Sequence, residues 1–420
     1  MPSKILYVIL DGLGDEPHPD LDNRTPLEAA HTPNLDALAQ KGRSGTVVTV
    51  GEGIAPESDI AVFAILGYDP HTQHAGRGPL EALGAGLEMR DGDLAWRANF
   101  ATADESNRLI DRRAGRDLST EEAAKLADAV NTGVKLSGGN ATFLATSEHR
   151  GALHLRADVP LSAEISNSDP AYERRGSLGI ALETFEPYPQ RCGPLDDSEG
   201  ARVGAELTNE WSDAARQVLR DHEVNRARQQ RGRPPANIVL VRDAGDHIPR
   251  VTSLKERFGL DFACFAEMPV EVGIAKVTGM EPILIDPGTD AEAYAKLAGR
   301  TVEALDGYDA LYVHIKGPDV PAHDGRARDK RDVIEAIDAG YFGTVLPELG
   351  RKVIVAVTAD HSTSCVRKAH TADPVPLVVW GGPVMADGAG GYSESQAAQG
   401  ALGRMKGTDI LPMLVDIARS

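Results

Sequence analysis

The chain has 420 residues, 41% of them hydrophobic, enough for two or three domains or for one core carrying a large insertion. A formal net charge of -19 argues against nucleic acid or an anionic membrane as partner, because both need a basic footprint. It leaves room for a small anion held by a local Arg/Lys pocket or by bound metal. The three cysteines, Cys192, Cys264 and Cys365, show no CxxC spacing and suggest neither a disulfide framework nor a thiolate zinc site. No apolar run approaches the ~18 residues of a membrane span, and the chain passes into its first strand without a basic, apolar leader. A soluble, cytoplasmic protein is expected.

In chain order, residues 4–10 read as a buried strand that ends at Asp11. A loop rich in Gly, Pro and Asp follows. Thr32 and Pro33 open a helix, as cap and first helical residue, that ends near Gly42. Residues 46–50 are a short strand. Residues 51–59 lead into the run IAVFAILG, with Ser58 at the helix N-terminus. Ser58 reads either as an ordinary N-cap or as a nucleophile, since free N–H groups and the positive dipole end suit a phosphate or an alkoxide. Residues 76–90 continue as loop and helix.

From about Asp91 the texture becomes α+β. Residues 94–102 alternate as a half-buried antiparallel strand does. Arg112, Arg113 and Arg116 then crowd together. A helix over 120–129, strands near 141–146 and 151–157, an irregular polar tract over 160–200, an amphipathic helix over 204–221 and a strand over 237–245 carrying Arg242 complete the block. It is read as an inserted domain, 91–260, whose arginines are the obvious anion clamp in so acidic a chain. A parallel pattern returns near 261: strands over 262–265 and 282–285, helices over 270–277 and 291–305, the strand 310–315, a helix over 331–346, the strand 353–357, a last core strand over 373–381 and a terminal helix from a Thr408 cap to 418. Residues 1–90 and 261–420 thus form one discontinuous α/β domain, a mostly parallel sheet flanked by helices.

Three strands far apart in sequence deliver acidic or imidazole groups at the same end. Asp11 follows the first. Lys316, Asp319 and His323 follow 310–315. Asp360 and His361, with His370 nine residues later, follow 353–357. A parallel sheet gathers such ends, and ligands bind there. Asp319 and His323 are spaced as one helical turn would present them, although Pro321 argues against a regular helix. With Ser58 these make seven hard or borderline donors, too many for one ion with an open position, and they fit two ions about 3.5–4 Å apart. Carboxylate and imidazole without thiolate suit Mn²⁺ or Zn²⁺ better than Ca²⁺ or an iron–sulfur centre, and Co²⁺ accepts similar ligands.

ILDGLGD, the Ser58 element, HIKGPDVPAHDG and TADHSTSCVRKAHTADPVP together resemble the alkaline phosphatase superfamily. DRRAGR, HEVNRARQQRGRPPAN and the C-terminal GTDIL narrow the resemblance to the archaeal-type, cofactor-independent phosphoglycerate mutases, over nearly the whole chain. The resemblance implies an alkaline-phosphatase-like core. It implies a nucleophilic Ser58 that takes the phosphoryl group of 3-phosphoglycerate and returns it to the 2-hydroxyl without 2,3-bisphosphoglycerate. Asp11, Ser58, Asp360 and His361 would gather on one divalent ion and Asp319, His323 and His370 on a second, Mn²⁺ being the expected metal. The insert would close over the substrate, with Arg112, Arg113, Arg116, Arg242 and Lys316 as its clamp. Two features depart from the family's pattern: Glu57, a carboxylate beside a phosphate-receiving serine, and segment 166–176. Two other activities suit the same core: a metal-dependent phosphatase or phosphonate hydrolase, and a mutase of another small phosphorylated or phosphonylated acid.

Overall fold

The computed structural model describes residues 3–420 apart from Ser177, Glu183 and Pro287. The chain divides into two compact units, one of Met1–Gln73, Val251–Glu267 and Thr278–Ser420, the other of His74–Arg250 and Met268–Val277. Residues 74–90 and 268–277, placed with the core by their sequence texture, therefore count with the second unit, and 251–260 with the first. Close packing decides this. The helix Arg77–Gly84 brings Gly78 against the Ala95 carbonyl of the second unit's central strand, and Gly84 meets the Pro269 carbonyl. A Cβ at either glycine would stand 2.2 and 1.7 Å from those oxygens.

In the first unit the β-branched runs form the middle of an eight-stranded sheet. Its order is Glu281–Leu284, Phe262–Ala266, Ala310–Ile315, Lys4–Leu10, Val353–Thr358, Val375–Trp380, Arg43–Val48, Gly403–Lys406. The first five strands are parallel, and Val375–Trp380 is antiparallel to both of its neighbours. The mostly parallel α/β sheet expected from the sequence is present. Register is what matters for function. Leu10 pairs with Ile315 and Ile9 with Thr358, so the residues that follow these three strands emerge side by side.

Several local expectations change under tertiary contact. Thr32 occupies the N-cap of Pro33–Lys41, but its side chain makes no capping bond. Asp338 supplies the cap from elsewhere, accepting from Leu35 N at 2.8 Å and Asn34 N at 3.2 Å. The single helix expected over 331–346 is three pieces: Ala327–Ile337, a π-helical turn Asp338–Phe342, and Gly343–Glu348. The π turn carries both Asp338 and Gly340, whose Cβ would stand 2.3 Å from the Ala291 carbonyl. The terminal helix begins at Gly407, close to the Thr49 carbonyl, so Thr408 lies inside it rather than at its cap. Pro321 does not prevent a helix: Asp319–His323 forms one, with Pro321 in the first turn, where its missing N–H is no loss.

The second unit is an antiparallel five-stranded sheet in which Leu94–Ala103 is flanked by Arg150–Ala157 and Ile238–Gly245, with Leu109–Asp111 and Gly139–Ala145 outside. The central strand, read as half-buried, is buried on both faces. Leu94, Trp96, Ala98 and Phe100 enter a core with the helices Thr120–Gly133 and Glu199–Arg220, while Ala95 meets Ala82 and Met89 on the other side. Phe143 makes edge contacts to Phe100 at 5.3 Å and Trp211 at 5.4 Å. The tract 160–200, expected to be irregular, contains the hairpin Tyr172–Arg175 and Leu178–Ala181. Among the described residues no helix is long and apolar enough to cross a membrane.

Candidate functional site

The strand Lys4–Leu10 ends in a turn in which Gly12 takes a positive φ of 62°. That turn leaves Asp11 pointing along the sheet end, and Gly12 N donates to Asp360 Oδ1 at 3.2 Å. Asp11, Asp360 and His361 are all buried, and one ligand atom of each lies within 4.8 Å of the others. His361 Nε2 stands 3.5 Å from Asp11 Oδ1 and 3.3 Å from Asp360 Oδ2. Neither of those carboxylate oxygens carries a hydrogen bond. Burial disfavours charge on Asp11, but Lys316, 3.4 Å away, together with His314 and His361, holds its carboxyl well below the usual range. Burial and then the Asp11 charge push Asp360 up to about 6. Two carboxylates that repel each other across a buried gap form an arrangement that a cation relieves.

Ser58 is the first residue of the helix Ser58–Ile65, and Glu57 takes the N-cap position. Ser58 is therefore not the cap, and its Oγ lies 3.2 Å from His361 Nε2. His361 Nδ1 lies 3.0 Å from Thr363 Oγ1, whose hydroxyl donates to Asp319 Oδ1 at 2.8 Å.

The second group forms beside the first. His323 Nε2 is 3.2 Å from His370 Nε2 and 3.5 Å from Asp319 Oδ2, and His370 Nε2 is 3.8 Å from Asp319 Oδ1. Each ring turns its Nδ1 to a backbone carbonyl, His323 to Lys368 O at 3.1 Å and His370 to Pro56 O at 2.8 Å. Carbonyls only accept, so both Nδ1 atoms carry protons, and in the neutral rings the two Nε2 lone pairs face each other. The donor set thus fits a divalent cation, with second-row partners of the kind that orient metal-bound imidazoles. His361 stacks on His370 with ring centroids 3.7 Å apart, and it also groups with Asp319 and His370 within 4.8 Å, so it stands between the two sets. Burial and then His370 drive His361 down to about 3, which keeps its ring neutral. Burial disfavours charge on His370, yet Glu57 and Asp319 outweigh it and raise its proton affinity.

All seven donors read from the sequence, Asp11, Ser58, Asp319, His323, Asp360, His361 and His370, are brought together in the first unit. Lys316 joins them through Asp11. Arg112, Arg113, Arg116 and Arg242 lie in the second unit. Arg112 donates twice to Asp169, at 2.9 and 2.6 Å, and Arg242 once at 3.2 Å. Both guanidinium groups also stand over the Tyr172 ring, at 5.3 and 3.9 Å. Asp169 and Tyr172 belong to segment 166–176, which thus carries an organised charge cluster. Arg112, Arg113 and Arg116 line a cleft of about 530 Å³ with Asp111, Phe185 and Pro187.

Three site residues escaped the sequence reading. His314, buried on the strand Ala310–Ile315, places Nε2 3.4 Å from Asp11 Oδ2 and 3.6 Å from Asp360 Oδ2. Its signal was a lone imidazole inside an otherwise apolar run. Lys330, fully buried, donates to Gly14 O, Asp15 Oδ2 and Thr363 O, tying the loop after Asp11 to the loop after His361. Thr363 looks like any strand threonine in sequence.

Comparison with known proteins agrees with this geometry. A family model described as 2,3-bisphosphoglycerate-independent phosphoglycerate mutase matches residues 39–225. The chain is 45% identical over 415 residues to a protein of that name from Aeropyrum pernix, covering 96% of each. It is 41% identical to one from Methanopyrus kandleri, covering 99% of this chain and 96% of the relative. Among solved structures, a Pyrococcus horikoshii protein superposes with a TM-score of 0.80 at 30% identity, covering 100% of this chain and 98% of that one. A cofactor-independent phosphoglycerate mutase from Thermoplasma acidophilum superposes with a TM-score of 0.63 at 34% identity, covering 99% and 100%. On the strength of near-full-length identity and a shared fold, the chain belongs to the 2,3-bisphosphoglycerate-independent phosphoglycerate mutases.

Proposed function

We propose that the chain performs its family's isomerisation, 3-phosphoglycerate to 2-phosphoglycerate and back, through a phosphoryl group carried on Ser58. The observation that supports this reading is the Ser58 hydroxyl facing His361 Nε2 at the point where three strand ends converge. In the forward sense Ser58 Oγ gives up its proton and attacks phosphorus, the bond from phosphorus to the substrate's O3 breaks, and O3 takes up a proton. The glycerate 2-hydroxyl then loses its proton as its oxygen attacks phosphoserine, the bond from phosphorus to Oγ breaks, and Ser58 Oγ takes a proton back.

Asp11, Asp360 and His361 with Ser58, and Asp319, His323 and His370, are the residues that would hold two divalent ions. Such ions supply charge that favours the serine alkoxide and offsets the phosphoryl oxygens. Mn²⁺ suits this carboxylate–imidazole set, with Zn²⁺ and Co²⁺ as alternatives. Substrate binding by Lys316, Arg112, Arg113, Arg116 and Arg242 belongs to the same proposal, and substitutions there should raise KM more than they lower kcat. Arg113 is the first choice to test, because Arg112 and Arg242 are already engaged by Asp169. A cytoplasmic location fits the three cysteines, which are free and buried.

The test is a time course with 3-phosphoglycerate and Mn²⁺, without 2,3-bisphosphoglycerate, following 2-phosphoglycerate and free phosphate together. Conversion with little free phosphate is the expected result, and free phosphate as the main product would point to a hydrolase. Ser58→Ala should lower turnover by about a thousandfold or more while leaving the fold and metal binding largely intact. Near-normal turnover in that variant would exclude phosphoserine.

A further inference from the structure

The two donor groups do not touch through their ligand atoms alone. One hydroxyl joins them. Thr363 is fully buried on the short strand Ser362–Ser364, and its single hydroxyl proton goes to Asp319 Oδ1 at 2.8 Å. With that proton committed, the oxygen can only accept from His361 Nδ1, 3.0 Å away. His361 must then carry its proton on Nδ1 and turn a bare Nε2 toward Ser58 Oγ, at 3.2 Å, and toward Asp11 and Asp360. The surrounding backbone is built around this hydroxyl. A Cβ on Gly12 would stand 2.6 Å from Thr363 Oγ1 and 2.7 Å from Asp319 Oδ1, so only glycine lets the turn after Asp11 pass over the bond. Lys330 holds the Thr363 carbonyl at 2.8 Å and fixes the residue from its other side.

We propose that Thr363 is a positioning residue whose hydroxyl couples the two ion-binding groups, holding Asp319 in place on one side and the Nδ1–H tautomer of His361 on the other. The proposal rests on the two-ion reading above and deepens it. A methyl in place of the hydroxyl would free Asp319 to rotate and would release His361 to place its proton on Nε2, where it blocks both an ion and the serine. Partners of this kind are worth about 10- to 100-fold in metal affinity.

The experiment compares Thr363→Val, nearly isosteric, with Thr363→Ser, which keeps the hydroxyl. Calorimetric titration with Mn²⁺ should show Thr363→Val weakened by about 10- to 100-fold and Thr363→Ser within about threefold of the parent chain. Kinetics should show kcat falling in Thr363→Val with KM changed less than kcat, and recovery in Thr363→Ser. Histidine ¹⁵N shifts of the metal-free protein should report the Nδ1–H form of His361 in the parent chain and in Thr363→Ser, and its loss in Thr363→Val. Wild-type affinity and tautomer in Thr363→Val would overturn the proposal. So would a Thr363→Ser variant as impaired as Thr363→Val, because packing of the methyl would then be the cause. If Thr363→Val does not fold, Gly12→Ala displaces the hydroxyl without altering it, and unchanged Mn²⁺ affinity there is equally fatal. A parent chain that binds Mn²⁺ but does not isomerise phosphoglycerate would sink the mutase reading alone, because affinity and tautomer are read without turnover.

Discussion

In the second unit, fully buried Arg228 donates to Asp117, to Glu122 at 2.8 Å and to the carbonyls of Ala114 and Pro234. Asp93 there accepts from Arg156 at 2.7 and 2.6 Å and sits 3.0 Å from His154. In the first unit, Asp11 and Asp360 face each other with one oxygen apiece that no donor meets, and two histidines oppose bare nitrogens. The contrast separates structural charge from working charge. A buried charge that only supports the fold is matched by the chain itself. A site for a cation leaves its negative and lone-pair groups converging, and it is unstable on its own by as much as the cation will later restore.

Removing divalent ions should separate the units most. A chelator is expected to lower turnover by about a hundredfold or more, and adding Mn²⁺ back should restore it. Retained activity in a chelated, metal-free sample would break the comparison. Next is Arg228→Met, which strands the carboxylates of Asp117 and Glu122 and the carbonyls of Ala114, Asp117 and Pro234. Its partners are partly exposed, so a loss of about 3 kcal/mol in denaturant unfolding is expected, with Mn²⁺ affinity unchanged.

Asp360→Asn tests the opposite sign. It keeps an oxygen for Gly12 N and His361 N, removes the repulsion with Asp11, and should stabilise the metal-free protein by about 1 kcal/mol while abolishing activity. A metal-free variant less stable than its parent would mean that Asp360 is structural after all.

The smallest effects are pH slopes of opposite sense, neither exceeding about 1.4 kcal/mol per pH unit. Burial, then Arg150 and other arginines, lowers His149 of the second unit to about 3, so its contribution is whole above pH 6.5 and lost as pH falls from there toward 3. His149→Gln should flatten that acid limb. Burial raises Glu394 of the first unit to about 7, against backbone and Thr25 bonds that favour charge. Its contribution is whole below pH 4.5 and lost as pH rises through 7, so Glu394→Gln should gain stability over its parent at pH 8.

How much could be read in advance follows the range of the forces involved. Alternation and β-branched runs mark strands because burial acts on each residue locally, so the five parallel strands and the donors behind three of them were legible from Ile5, Val313 or Val355 and their neighbours. Caps and breaks were not. Thr32 and Thr408 have the right chemistry for caps, but Asp338 and the close approach of Gly407 to Thr49 come from distant parts of the chain. The edges of the units were likewise set by Gly78 and Gly84 fitting against carbonyls that no local pattern announces.

The sequence by itself determined which residue types stand at the strand ends, and through near-full-length identity it determined the family. Only the tertiary structure decided that Ser58 faces His361 rather than capping its helix, that the charge of Glu57 raises the proton affinity of His370, and that Asp169 already holds Arg112 and Arg242. It also decided that His314, Lys330 and Thr363 belong to the site. The reason is physical: a side chain's chemistry is carried by its own residue, but its partner, its proton and its charge are set by whatever the fold brings within about 3 Å.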